Sequence, residues 1–262
     1  MCLIVFAWRP THALPLIVAA NRDEFHTRPS SPLAPWEDVP QIIAGRDLQA
    51  GGTWLGLGPD HRFAALTNIR APGAPTGSHS RGELPERFLG GQLSPEAYLT
   101  ELAGHLERYS GFNLLVGDRH QLWFLNSRVG KPEQLSAGIY GLSNAALDTP
   151  WPKLLRARAA LHDCIDAPET ETLLQLLSDS QPADDAELPR TGVSHEVEKM
   201  LSSVFIASPD YGTRASTVLI RRADGSTSIT ERCYGPDGPL GEVSISLPFT
   251  QDGEPARSLL KD

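Results

Sequence analysis

CLIVFAW at residues 2–8 and LIVAANRDE at residues 16–24 decide how this chain is read. Each opens as an unbroken apolar run rich in Leu, Ile and Val, and a Pro-containing turn joins them, the pattern of a buried antiparallel strand pair. The start of the chain is therefore tied into a sheet. The second run ends in four consecutive polar residues, Asn21-Arg22-Asp23-Glu24. Pairing of the two strands brings these residues beside Cys2.

Working outward, the proline-rich segment 28–40 reads as an ordered surface loop rather than a regular element. Gly51, Gly52, Gly56 and Gly58 punctuate residues 53–57, and residues 63–68 follow the Pro59-Asp60 turn as another strand. This is hairpin chemistry. The Gly, Pro, Ser and Thr of residues 71–80 predict a second loop, a flap over a site. Helix signals begin at Ser94, a cap with Pro95 at the first helical position, with Tyr98, Leu99, Leu102 and Leu106 on one face. Strand returns at 112–116 and 122–125. A helix from Pro152 carries Leu154, Leu155, Ala157, Leu161 and Cys164 as its apolar face, and another covers 171–177. Residues 217–222 and 226–231 flank the Asp224-Gly225 turn as a hairpin. With the helices between two sets of strands, regular βαβ crossovers are excluded and an α+β fold with antiparallel sheets follows. No repeat or linker divides residues 1–262, so a single domain is expected.

Composition narrows the function. The 262 residues carry 23 Lys and Arg against 32 Asp and Glu, a net charge of −9, which argues against a nucleic-acid partner. Cys2, Cys164 and Cys233 lie far apart with no CxxC pair, which predicts neither a disulfide framework nor a cysteine zinc site. The apolar stretch 3–8 is too short for a signal-peptide core, and nothing approaches a membrane span. A soluble, cytoplasmic protein is expected. No histidine pair has metal-ligand spacing, the glycines at 51–58 lack the Lys-Ser/Thr of a phosphate loop, and no GxSxG elbow occurs. Neither a metal nor a cofactor is called for.

Cys2 is the most informative residue. Removal of Met1 would leave its thiol and a free α-amine on one carbon, making nucleophile and base a single residue. An α-amine has an ordinary pKa near 8, so a sizeable fraction is neutral at physiological pH and able to take the thiol proton. Arg22 nearby would lower a thiolate's pKa, and a carboxylate of Asp23 or Glu24 would orient the amine. The plain alternative is a small apolar residue in a buried strand.

The order MC, AANRDEFHTRP, GGTWLGL, AALTN, RGEL, GFNLL, YGLSNA with DTPW, and YGTRASTV, spread from residue 1 to about 232, resembles the NRDE family, also called the transport and Golgi organisation 2 family. That family is in turn similar to N-terminal nucleophile hydrolases of the choloylglycine hydrolase and penicillin V acylase type. The resemblance implies a four-layer αββα fold with two mainly antiparallel sheets. It also implies roles for catalytic residues: Cys2 as nucleophile, Arg22 and Asp23 beside it, Asn68 and Asn144 as the two asparagines, and Arg214 as the late arginine. The relatives space their early Arg three before Asp, whereas Arg22 adjoins Asp23 here, so the amine's partner stays open between Asp23 and Glu24. Asn68 and Asn144 each follow an apolar strand and would offer amide N–H groups to an oxyanion. Asn21, Glu24, Trp54 and Tyr211 complete the expected ligand-binding set, Trp54 packing the hairpin or stacking a ligand. Two functions follow: a Cys-dependent amidohydrolase for a non-peptide or linear amide, or a non-catalytic carrier of haem or another apolar ligand.

Overall fold

Apolar residues at every position from Cys2 to Trp8 leave no strand face for water, and the fold covers both. The computed structural model describes residues 2–248. In chain order its strands are β1 (Cys2–Trp8), β2 (Leu16–Phe25), β3 (Ser30–Pro35), β4 (Ile43–Asp47), β5 (Leu55–Leu57), β6 (Phe63–Asn68), β7 (Phe112–Gly117), β8 (Leu122–Asn126), β9 (Glu133–Gln134), β10 (Gly138–Leu142), β11 (Tyr211–Arg221), β12 (Thr227–Gly235) and β13 (Gly238–Leu247). The α-helices are α1 (Glu83–Gly90), α2 (Pro95–Ala103), α3 (Pro152–Cys164), α4 (Thr170–Leu176) and α5 (His195–Met200).

One sheet runs β10-β1-β2-β11-β12-β13 and the other β3-β4-β5-β6-β7-β8-β9. Every pairing within them is antiparallel. Ile4, Phe6, Trp8, Val18 and Ala20 face the second sheet, where they meet Leu55, Leu57, Phe63, Ala65 and Leu115. Their neighbours Leu3, Val5, Ala7, Ile17 and Ala19 face the opposite way, onto Leu154, Ala157 and Leu161 of α3 and Leu173 and Leu174 of α4. On the far side of the second sheet, Ala64, Leu114 and Val116 pack under Leu84, Phe88 and Leu89 of α1 and Leu99 and Leu102 of α2. The result is the expected α+β fold in four layers, αββα. Each large apolar side chain buried this way contributes about 1.5 to 3 kcal/mol relative to exposure, which is why the strand interiors admit little polarity.

Several local expectations hold. Ser94 Oγ accepts a hydrogen bond from the Ala97 amide at 3.2 Å as the α2 cap. Gly225 (φ +90°) turns the β11–β12 hairpin. Others are corrected. The 28–40 segment is not wholly irregular, because Ser30–Pro35 forms an edge strand. Its register shifts between Ser31 and Ala34 around Pro32, and an edge position with a bulge tolerates the missing amide. Helix α1 was hidden because Gly82 offers no side-chain cap and Pro85 sits in its first turn. Leu155 does not join the apolar face of α3 but is 41% exposed.

The glycines of GGTWLGL do more than turn a hairpin. Thr53 N–H donates to Gly82 O at 3.1 Å, and a Cβ on Gly52 would stand 2.3 Å from the Gly82 carbonyl carbon and oxygen and 2.8 Å from Glu83 N. The two backbones touch, and this contact fixes the start of α1 and the residue before it, Arg81. Gly52→Ala is therefore expected to lower the unfolding free energy by about 1 to 3 kcal/mol or more, read from urea midpoints. Gly90→Ala, whose new methyl would meet only Ile42 and Val39 at 3.6 and 4.0 Å, is expected to leave the midpoint unchanged or higher.

Candidate active site

The register of β1 and β2 sets Cys2 opposite Arg22, and the row continues across the sheet through Ala215 and Cys233. Directly paired residues share a face, so these side chains all project between the two sheets. There they line a cavity of about 700 Å³. Cys2 and Cys233 are three strand spacings apart, roughly 14 Å, beyond the reach of a disulfide.

β2 remains a strand through its polar residues, and Asn21, Arg22 and Asp23 are buried. Arg22 Nη2 lies 3.5 Å from Asp47 and 4.0 Å from Glu24, while its buried Nη1 has no hydrogen-bond partner among the described residues. Arg28 Nε engages Asp47 at 2.6 Å and Glu24 at 3.9 Å. Asp23 Oδ1 accepts from Thr213 Oγ1 at 2.8 Å. The β2–β11 register slips between Thr213 and Ala215, making Arg214 the extra residue of a bulge, and such bulges re-aim side chains. Arg214 lines the cavity, with Nη1 donating to the carbonyls of Phe25, His26 and Arg28 and Nε to that of Tyr234. Its guanidinium thus fastens the segment after β2.

From the second sheet, Asn68 reaches the same cavity at the end of β6. Asn144 Nδ2 donates to both the backbone O and Oδ1 of Asn68, each at 3.0 Å. This turns the Asn68 amide nitrogen away from Asn144, and it spends both Asn144 amide hydrogens. The adjacent Ser143 Oγ donates to Cys2 O at 3.2 Å, so residues 143 and 144 tie the two strand ends together. Thr67 Oγ1 donates to Ser143 O at 2.6 Å, Asn113 Nδ2 to Ala145 O at 2.7 Å, and Asn126 Nδ2 to Asn113 Oδ1 at 2.8 Å. Trp54 both lines the cavity and packs in the core between the sheets. Thr76 to Ser80 of the 71–80 loop form part of the wall, tethered by Gly77 N–H to Ser110 Oγ and His79 N–H to Arg108 O.

Cys2, Arg22, Asp23, Glu24, Trp54, Asn68 and Arg214 therefore meet in one cavity, and three expected residues do not line it. Asn21 alternates to the helical side, where its amide donates to Leu177 O and Val204 O at 2.8 and 2.9 Å and its Oδ1 accepts from Ser216. Tyr211 donates its hydroxyl to the Asp23 carbonyl at 3.0 Å. Asn144 stands behind Asn68 and holds it.

The electrostatics are set by burial. Burial pushes the Cys2 thiol up, with Arg22 opposing, so the resting thiol keeps its proton. Burial also raises the Asp23 carboxyl, and the largest opposing influence is Lys153 of α3. Lys153 is 1% exposed and its Nζ has no hydrogen-bond partner among the described residues. It was not singled out in the sequence, although Lys153, Ala157 and Leu161 fall on one helical stripe and all three are buried. Arg81 was also passed over within RGEL, yet it lines the cavity close enough to interact with the Cys2 charge.

Cys2 thus heads an interior strand of an αββα sandwich, the fold of the N-terminal nucleophile hydrolases. The C2A mutant of conjugated bile acid hydrolase from Clostridium perfringens shares this fold with a TM-score of 0.51, at 8% identity over 100% of this chain and 97% of that one. Within that architecture, the chain belongs to the Transport and Golgi organisation 2 family, whose model matches residues 1–236. The Transport and Golgi organization protein 2 homologs of Bos taurus and Homo sapiens are each 35% identical to it, covering 88% of this chain and 92% of theirs.

Lys153 yields a pH-dependent prediction. Burial lowers its ammonium pKa from 10.5 to about 8, with Asp23 partly offsetting this. Between those two values the unfolded chain binds more protons at this group than the native state does, so its contribution to stability rises with pH; below about 8 the cost of burying the charge is felt in full. The unfolding free energy of the wild type relative to Lys153→Met is thus expected to increase by up to about 3 kcal/mol across this window. Urea denaturation at a series of pH values checks it, and a flat difference would mean that the native ammonium is not buried.

Proposed function

We propose that this chain, after loss of Met1, is a cysteine amidohydrolase of the N-terminal nucleophile type acting on a non-peptide or linear amide. The observation that carries this reading is the convergence of Cys2, Arg22 and Asn68 on one cavity, with the carbonyl side of Asn68 already held by Asn144. The buried thiol is protonated at rest, so attack requires a base within reach, and the Cys2 α-amine is attached to the same carbon. As Sγ adds to the amide carbon, the amine takes the thiol proton. The oxyanion receives N–H donation from Asn68 and lies in the field of the Arg22 guanidinium, which lines the same cavity. The C–N bond then breaks as the ammonium returns its proton to the leaving nitrogen. Water adds to the thioester with the amine again as base, releasing the acid and restoring the thiol. Asp23 is favoured over Glu24 as the amine's carboxylate because Glu24 faces Arg22 and Arg28.

The expected signature is loss of Met1 in the intact mass, with labelling by an acylating thiol probe confined to Cys2. Cys2→Ser should keep the melting temperature and lose most hydrolysis, because the hydroxyl is a far weaker nucleophile. Asn68→Ala should lower kcat by about 100- to 1000-fold. Asn144→Ala should lower it less and also reduce stability, since its amide joins two loops. Rates of Cys2→Ser equal to wild type across a panel of acyl amides and lactones would overturn the reading.

The apolar part of the wall, Trp54, Leu66, Leu240 and Val243, supports a second reading, a non-catalytic carrier of an apolar ligand such as haem. Retained Met1, with ligand binding that survives Cys2→Ser, would favour it.

A further inference from the structure

The cavity holds more cationic than anionic charge once each group is followed to its partner. Arg46 turns to Asp38 at 2.7 Å, and Glu242 to Arg232 at 2.7 Å. Asp23 is opposed by Lys153, and buried Glu231 is taken up by donors of its own, the Leu33 amide and the Thr217 hydroxyl. Glu24 and Asp47 then remain against Arg22, Arg28, Arg81 and Arg214, and Arg22 with Arg28 already engages both carboxylates. Arg214 commits Nε and Nη1 to four backbone carbonyls. Arg81 is different. It is half-buried, its one hydrogen bond among the described residues runs from Nη1 to Gly111 O at 3.2 Å, and it forms no ion pair there. Its backbone is fixed by the Gly52–Gly82 contact, so the charge is delivered to a set place on the wall.

Most of the five Arg81 donors are thus left facing the cavity, where an anionic ligand can take them. We propose that Arg81 recognises an anionic group on the ligand of this cavity, and that the substrate class is an amide bearing a carboxylate or phosphate near the bond that Cys2 attacks. This rests on the amidohydrolase reading for the reaction, though not for the binding. The planar fork of Arg81 suits an oxyanion bidentately. A role for Arg81 in lowering the thiol pKa is the competing account, and it would act alike on charged and uncharged substrates.

The test uses the full chain after Met1 removal, with three probes: glutaryl p-nitroanilide, N-valeryl-4-aminobenzoate, and the uncharged valeryl p-nitroanilide. The first two place a carboxylate on the acyl or the leaving side. Wild type should prefer one of them, and Arg81→Met should reduce the charged-to-uncharged ratio of kcat/KM by about 10- to 100-fold through KM, with Arg81→Lys retaining part of the preference. An unchanged ratio overturns the proposal. If no amide is cleaved at all, binding decides: Cys2→Ala should bind a carboxylate probe more tightly than its uncharged counterpart, and adding Arg81→Met should abolish the difference. Equal binding of charged and uncharged probes overturns the proposal whatever becomes of the hydrolase reading. Competition by acetate against inorganic phosphate identifies the anion, and failure of both to displace the probe counts against it.

Discussion

Cys2 stands opposite Arg22 because β1 and β2 pair residue for residue from Cys2–Arg22 to Trp8–Leu16, with alternate side chains buried on both sides of the sheet. A slip of one residue would drive Ile4 and Phe6 into the helical layer and Leu3 and Val5 between the sheets, exchanging two packed sets of different shape. The cost of that exchange locks the register. The locked register in turn sends the Arg22 side chain into the cavity and that of Asn21 toward the helices. The division of labour along NRDE is a consequence of strand alternation.

Beside the apolar packing between the sheets, polar contacts join the second sheet to the end of this row. Ser143 reaches the Cys2 carbonyl, Asn144 holds Asn68, and Thr67, Asn113 and Asn126 support residues 143–145 from below. In a buried region each of these groups would be expensive to leave unpaired, so the network has few ways to rearrange. It gives the cavity a rigid end. Around it lie groups displaced from their ordinary ionisation by burial: a thiol and a carboxyl pushed up and an ammonium pushed down. Concentration of such groups in one place is a common property of functional sites.

The legible part of this chain was the part governed by local rules. The apolar runs of β1, β2, β6, β7 and β11, the Ser94 cap and the Asp224-Gly225 turn depend on neighbours within a few residues, and they appear where expected. The ends of apolar strands likewise pointed to Cys2, Arg22 and Asn68, and the family resemblance to Arg214. Elements stabilised from a distance were not legible. Edge strand β3 contains Pro32 and Pro35 and exists because β4 pairs with it, and α1 lacks a capping side chain because backbone contact with Gly52 sets its start.

The sequence alone determined that a cysteine begins a buried strand, that a polar quartet pairs beside it, and that strands and helices are ordered for antiparallel sheets, because periodicity and turn chemistry are short-range. Only the tertiary structure decided which polar residues reach the cavity. Asn144 proved to hold Asn68, Tyr211 to cap the Asp23 carbonyl, and Asn21 to bond the helical layer, while Arg81 joined the wall and Lys153 of α3 came near Asp23 from outside it. The direction of a side chain depends on register and bulges, and its charge state on burial, and both are settled by residues distant in the sequence.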